Sequence, residues 1–382
     1  MFTKVWLYDI LFQTSARRIA EKIKRYGALI FMITVNRELG IIPDETTITS
    51  GDPVFLDVTK PPFEIYGLCE PFRRLPSDVA AATSDTVAEL SCMPAGGRIR
   101  FKTDSDYVVV HAGTYGVLWD DINDTLTSRL GFDMFELKNG KPCFSAIFVP
   151  SQGAGKNYSE SRVRFPSAEM RELIIDFPLF AKVKDVYIAL REGSHIDCGT
   201  GYLHKKPIVF YGSSIVHGVG AGKPASNYPA IIGRRLDSDF INLGFAGAAK
   251  AEKAVMDYIS ELDMSVFVYD YDHNAPSAEY LAETHYAGYM TVRKKQPDLP
   301  IIMASKVDYY RDEAENERRR LIIEESYRRG IAAGDKNLYF IDGRHIFDDD
   351  FRNESTQDGC HPNDVGYLAM AKAFGEIIEK LI

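Results

Sequence analysis

Cysteine is scarce in this chain and follows no pairing pattern. Cys69, Cys92, Cys143, Cys198 and Cys360 are odd in number and widely spaced, with no Cys-x-x-Cys among them. That excludes a disulfide-built scaffold and the paired-cysteine motifs that hold zinc or run redox chemistry, and it reads as buried thiols in a reducing compartment. Long apolar runs are missing too: nowhere do roughly 18 apolar residues follow one another, so no membrane-spanning helix is expected. Positive charge is in deficit. Lys and Arg number 45 against 54 Asp and Glu, a net charge of −9, which argues against nucleic acid or an anionic membrane as partner, because both demand a basic surface. Internal repeats and low-complexity tracts are absent as well. Basic residues within Arg17 to Arg25 precede the apolar stretch Gly27 to Val35, the outline of a secretory signal, yet Asn36, Arg37 and Glu38 stand where a small-residue cleavage site belongs. These absences leave a cytoplasmic protein acting on a small neutral or polar molecule as the expectation, with the oligomeric state open.

What is present points to two folded units. At 382 residues and 45% hydrophobic content, the chain exceeds the ~250 to 300 residues at which one core stops growing. Residues 1–45 are expected as a helical extension, since Ile19, Ile23, Tyr26, Leu29 and Ile30 recur three or four apart. Whether that extension belongs to the native fold stays open. Over 46–203 the pattern is of short β-like runs, among them Arg98 to Lys102, Tyr107 to His111, Met134 to Lys138, Ala146 to Val149 and Val186 to Leu190. Asn139-Gly140 between two such runs predicts a type I′ hairpin, which needs positive φ at both central positions. Many short strands with few helices predict an antiparallel, jelly-roll-like β-sandwich.

The grammar changes over 204–382. Apolar runs at Pro207 to Tyr211, Phe240 to Leu243, Val266 to Tyr271, Pro300 to Ala304 and Leu338 to Ile341 read as strands buried on both faces. Helical patterns at about Tyr228 to Leu236, Ala251 to Leu262, Ala278 to Gln296, Arg311 to Ala333 and Val365 to Leu381 fill the gaps. Repeated βαβ units predict an α/β domain, a doubly wound parallel sheet with helices on both sides. In such sheets ligands sit at the carboxyl ends of the strands.

Two segments at that edge carry chemistry. Tyr211-Gly212-Ser213-Ser214-Ile215 follows the first strand and leads into a helical stretch, a place where a serine hydroxyl can stand exposed. A serine needs a base within reach and donors for the oxyanion that its attack creates. Asp358-Gly359-Cys360-His361-Pro362 comes after the last strand and before the last helix, and supplies an imidazole with a carboxylate three residues away to orient it.

These residues resemble the first and last blocks of the SGNH hydrolases, also called GDSL esterases. Asn242-Leu243-Gly244-Phe245-Ala246-Gly247 resembles the second block and Asp270-Tyr271-Asp272-His273-Asn274 the third, in the family's order. The resemblance covers about residues 207 to 382 and implies a three-layer, flavodoxin-like α/β/α fold. It further implies a Ser214–His361–Asp358 triad and an oxyanion hole from the Ser214 N–H, the Gly247 N–H and the Asn274 amide. It implies a serine esterase acting on short acyl esters, an acetyl group on a carbohydrate among them, with no cofactor and no metal. The preceding sandwich resembles that of two-domain members, carbohydrate acetylesterases and acyltransferases. Two alternatives stay open: an acyltransferase using the same acyl-serine, and a non-catalytic carbohydrate-binding protein. The chain departs from the pattern at Ser213, where Gly-Asp-Ser has Asp, and at Ala246 and Ala248, departures expected to touch substrate preference more than mechanism.

Blander readings stand beside these. Ser214 alone would be a turn or helix cap, and Gly244 could replace Gly247 as donor. His217 is expected to pack or wall the pocket. Asp270, Asp272 and His273 could suggest a metal cluster, but strand alternation points them apart. Tyr115, Trp119, Asp120 and Asp121 could stack and bind a sugar, though core packing is the plainer reading. The run Arg311 to Arg320 reads as a salt-bridged helix face.

Overall fold

The computed structural model describes residues 32–117, 123–150, 157–347 and 351–382. From residue 32 to Cys198 the chain builds two antiparallel sheets. One has the spatial order β1 (Ile33–Thr34), β11 (His195–Cys198), β4 (Arg98–Thr103), β9 (Arg171–Asp176), β6 (Phe132–Lys138), β7 (Lys141–Phe148), with β3 (Ile65–Tyr66) also on β4. The other runs β2 (Pro53–Asp57), β10 (Ala181–Arg191), β5 (Tyr107–Val117), β8 (Tyr158–Arg164). Alternation along the strands sends Ile99, Phe101, Leu173 and Ile175 of one sheet against Val54, Val108, Val110 and Ile188 of the other, and these close one core. Asn139 and Gly140 join β6 to β7 with φ of 53° and 74°, the turn that the Asn-Gly dipeptide predicts.

Two expectations need correction here. Residues 1–31 of the expected helical extension lie outside the described residues, and its remainder is not helical: Ile33–Thr34 pairs with β11, and Ile41 bridges to Phe55. The residues whose three-to-four spacing suggested the helix, Ile19 to Ile30, are all among those outside the described residues. The cysteines are all unpaired but not buried thiols, since Cys69, Cys143 and Cys198 are exposed and Cys92 and Cys360 are half-buried.

After Cys198 the chain enters a five-stranded parallel sheet in the order β13 (Ser238–Gly244), β12 (His204–Gly212), β14 (Val266–Asp270), β15 (Ile301–Ala304), β16 (Leu338–Ile341). All five coincide with the apolar runs read from the sequence. This is the flavodoxin-like order, in which the first strand has the second on one side and the third on the other. Helices Tyr228–Arg235, Lys253–Glu261, Ala278–Lys295, Glu313–Ala332 and Asp364–Ile378 cover it. The core of this sheet is continuous with residues from the front half, among them Leu75, Leu90, Met93, Leu179 and Phe180. No described helix is long and apolar enough to cross a membrane.

Candidate active site

The carboxyl edge of the parallel sheet gathers the candidate residues. β12 ends at Gly212, where a Cβ would sit 2.0 Å from the backbone oxygen of Asp270, so only glycine lets β12 and β14 come together there. Ser213 then turns inward: it is buried, and its hydroxyl accepts the Ile215 N–H at 3.2 Å, capping the one-turn helix Ser214–His217. The expectation that Ser213 touches substrate preference is therefore corrected, since it serves as a helix cap with no face on the cleft. Ser214 is left as the first helical residue, with its hydroxyl at the sheet edge.

The last loop meets it. Ser214 Oγ lies 2.9 Å from His361 Nε2, and His361 Nδ1 lies 2.7 Å from Asp358 Oδ2. Asp358 Oδ1 accepts the backbone N–H groups of Cys360 at 2.9 Å and His361 at 2.7 Å, and Asn123 donates to Oδ2 at 3.1 Å. Burial pushes the Asp358 carboxyl up, but the bonds from His361 and from the two backbone N–H groups outweigh it and hold it at about 2. A carboxylate that stays ionised takes the Nδ1–H of His361 as donor and leaves the Nε2 lone pair facing Ser214. Gly359 makes the turn possible with φ of 83°, and Asn363 caps the following helix by accepting from Val365 and Gly366 N–H.

The second and third blocks stand beside this pair. After β13 the chain turns on the Phe245 carbonyl, which accepts from Ala248 N–H at 2.9 Å, from Ala249 N–H at 3.2 Å and from the Asn274 side-chain amide at 2.8 Å. The amide of Asn274 has a second hydrogen that this bond does not use. Gly247 adopts φ of 68°, and a Cβ there would meet nothing within 4 Å. Glycine is thus suited to position 247 by its backbone conformation. Gly244 is packed, with a Cβ only 2.1 Å from the His217 backbone N, so it holds the nucleophile helix against β13.

Ser214, Ala246, Gly247, Asn274 and His361 line one open cleft of about 610 Å³, whose other wall is Lys306, Asp308, Arg311, Glu315 and Asn316. That charged wall had no signal in the sequence, because it is assembled from the loop after β15 and the helix that follows. His217, offered as a pocket wall, is instead fully buried with Nε2 2.9 Å from Leu179 O. Asp270 and Asp272 do part, but not by strand alternation, which would put residues two apart on one face: β14 ends at Asp270 and Asp272 opens a short 3-10 turn, so Tyr228 donates to Asp270 at 2.9 Å while Asp272 accepts from Arg319 at 2.8 Å. His273 Nε2 meets Asp308 Oδ1 at 2.9 Å, and these two with Cys360 place ligand-capable atoms within 4.8 Å of one another, the grouping that could hold a metal among the described residues. His273 and Asp308 already satisfy each other there. The Cys360 thiol is pushed up to about 12 by burial and by the Asp308 and Asp358 carboxylates. Trp119, Asp120, Asp121 and the Tyr115 side chain lie outside the described residues. Within the run Arg311 to Arg320, Arg320 bonds Glu317 and Glu324 as a salt-bridged helix face should, while Arg311, Glu315 and Asn316 line the cleft instead.

Known proteins resemble both halves of this chain. Residues 205–379 match the GDSL-like lipase/acylhydrolase family, and residues 55–196 match the domain described as the N-terminus of SGNH-hydrolase-type esterases. Among solved structures, a GDSL-like lipase from Bacteroides ovatus ATCC 8483 is 28% identical, with a TM-score of 0.79 over 86% of this chain and 98% of that one. A salicylyl-acyltransferase from a tetracycline biosynthetic pathway is 17% identical, with a TM-score of 0.70 over 86% of this chain and 97% of its own. A family two carbohydrate esterase from Clostridium thermocellum is 14% identical, with a TM-score of 0.58 over 84% and 98%. The last two likenesses concern fold. A search of curated proteins finds no match. With both halves matched in order and the family's four blocks gathered at one sheet edge, the chain belongs to the SGNH/GDSL hydrolases, a family of carboxylic ester hydrolases.

Proposed function

We propose that this protein is a serine esterase that removes short acyl groups, acetyl first among them, from carbohydrate alcohols through an acyl-serine intermediate. The observation that carries the proposal is the relay from Ser214 Oγ through His361 to Asp358, at 2.9 and 2.7 Å. His361 Nε2 takes the Ser214 proton as Oγ attacks the ester carbonyl, and Asp358 stabilises the imidazolium that results. The oxyanion is received by the Ser214 N–H, the Gly247 N–H and the free hydrogen of the Asn274 amide. His361 returns its proton to the leaving alcohol. Water, deprotonated by the same imidazole, then releases the acid and restores Ser214.

Two observations favour a polyhydroxylated alcohol over a long acyl chain. The cleft wall opposite Ser214 is polar, with Lys306, Asp308, Arg311 and Asn316, which suits hydroxyl groups better than methylenes. Carbohydrate esterases also share the two-part fold. Action in the cytoplasm on imported sugars is part of the proposal, since the unpaired cysteines suit a reducing compartment. The test is hydrolysis of p-nitrophenyl acetate and of a longer-chain ester by wild type and by folded Ser214→Ala, followed by a panel of acetylated sugars. Loss of turnover in the variant is expected, with faster cleavage of acetyl than of longer acyl groups. Equal activity of the two proteins refutes the nucleophile. Product analysis with a competing alcohol separates hydrolysis from acyl transfer.

A further inference from the structure

We infer that Arg74, contributed by the front half of the chain, is a positioning residue for the oxyanion side of the site. Its guanidinium clamps the carboxyl end of β13 and so sets where Phe245, Gly247 and Asn274 stand. The inference rests on the serine-esterase reading above and gives the front half a role in it.

Arg74 is 1% exposed and has no carboxylate partner among the described residues. Nε donates to Met93 O at 2.8 Å and Nη2 to Leu90 O at 2.8 Å, both carbonyls of the front half. Nη1 donates to Gly244 O and to Asn242 O at 3.3 Å, both at the end of β13. The guanidinium carbon lies 4.7 Å from the centroid of the Phe245 ring, a cation–π contact. Burying a guanidinium without a counter-charge carries a desolvation cost that its hydrogen bonds to the carbonyls must offset. Stability alone is therefore a weak reason for arginine here. What arginine supplies is a rigid fork of five N–H donors, which a lysine ammonium cannot spread over the same carbonyls.

The clamped carbonyls lead directly to the site. Gly244 precedes Phe245, whose N–H donates to Gly212 O at 2.9 Å, two residues before Ser214. The Phe245 carbonyl in turn holds the Asn274 amide at 2.8 Å and closes the turn that presents Gly247. The nucleophile helix is held from the same side. Its last residue, His217, donates from Nε2 to Leu179 O, its ring lies 4.4 Å from Phe180, and Arg74 Nη2 stands 3.3 Å away. Burial and the nearby Arg74 charge keep that ring neutral, which lets it sit beside the guanidinium without repulsion. Leu90, Met93, Leu179 and Phe180 all belong to the front half, so the oxyanion turn and the serine helix are both referred to one outside frame. Displacing a donor by about 1 Å can cost on the order of 10²-fold in rate, so such a frame has a catalytic consequence.

The test uses the full chain carrying Arg74→Lys, Arg74→Met or Phe245→Leu, with wild type and Ser214→Ala alongside. Folding is checked by circular dichroism, kcat and KM are measured on p-nitrophenyl acetate, and inhibition is measured with a boronic acid that adds to the serine as a tetrahedral mimic. The expected result is a fall in kcat of at least about fivefold in the folded Arg74 variants, with KM within twofold and boronate affinity falling in step. A purely structural role would lower thermal stability and leave kcat of the folded protein unchanged. Folded Arg74→Lys with a kcat loss below fivefold, or with a change in KM alone, overturns the inference. If neither Arg74 variant folds, Phe245→Leu decides, since it keeps every carbonyl and removes only the ring under the guanidinium: a kcat loss of at least about threefold is expected, and wild-type kcat overturns the inference. Ser214→Ala separates the levels, because retained activity there would sink the esterase reading itself, whereas its loss beside a wild-type Arg74 variant would sink only the positioning role.

Discussion

Replacing Asp358 by Asn asks whether the carboxylate sets the tautomer of His361. Asp358 Oδ1 accepts two backbone N–H groups, from Cys360 at 2.9 Å and from His361 at 2.7 Å. An asparagine must keep its oxygen in that position, because an NH2 group there would face two donors. Its NH2 is then turned toward His361 Nδ1, which can only accept, so the imidazole proton moves to Nε2 and points at Ser214 Oγ. A ring in that state cannot take the serine proton. The corresponding tautomer inversion in serine proteases costs about 10⁴-fold, which is ~5.5 kcal/mol at 1.36 kcal/mol per factor of ten. Folding should be nearly untouched, within about 1 kcal/mol, since the Asp358 side chain is 32% exposed and such pairs contribute little to stability. The assay is kcat/KM on p-nitrophenyl acetate from pH 6 to 9, with Ser214→Ala as the blank. Because Asp358 is held at about 2 in the wild type, its own ionisation is complete over this range and adds no pH dependence to the loss. A variant within tenfold of wild type would refute the tautomer argument.

Other outcomes follow from single residues. Asn274→Ala should lower kcat by ~10²- to 10³-fold with KM little changed, the usual consequence of removing one oxyanion donor; a change confined to KM would instead make Asn274 a binding group. Gly247→Ala meets no steric obstacle, yet its φ of 68° should cost ~1 to 2 kcal/mol in a denaturant titration. An unchanged midpoint would show that the turn relaxes. Burial pushes Asp270 up to about 8, with the Tyr228 hydroxyl opposing and Asp272 adding to the rise. From its unfolded value of 3.8 up to about 8, the unfolded chain has lost this proton and the folded one keeps it, so this group's contribution to stability falls as pH rises through that window and then levels off. Asp270→Asn should therefore show a Tm that gains on wild type between pH 4 and 8, and parallel Tm curves would contradict the sign.

How far the sequence could be read depended on whether its signals were local. Asn139-Gly140 announced its hairpin because positive φ at two successive positions is a property of those residues themselves. The apolar runs of β12 to β16 announced a parallel sheet because strands buried on both faces leave no polar alternation. Ser214, Gly247, Asn274, Asp358 and His361 were legible because each sits at the end of such a strand or before the last helix, and the topology carries all those ends to one edge. Other features were not local. Ile33–Thr34 was read as part of a helix, and only the free edge of β11 made it a strand. The departure at Ser213 was expected to touch substrate preference more than mechanism, and only the packing of β12 on β14 turned it inward to cap a helix. Asn123 reaches Asp358 across 235 residues of chain, and nothing near it in sequence says so. Arg74 is the fullest case: next to Arg73, it looks like any basic surface residue until folding surrounds it with carbonyls from both halves. Sequence by itself determined the elements, their order and the chemical groups at the strand ends, because backbone preference and apolar period act over a few residues. Tertiary structure alone decided which of those groups meet, which charges are stripped of water and what holds the site in place, because distance, desolvation and donor geometry exist only once remote segments are packed together.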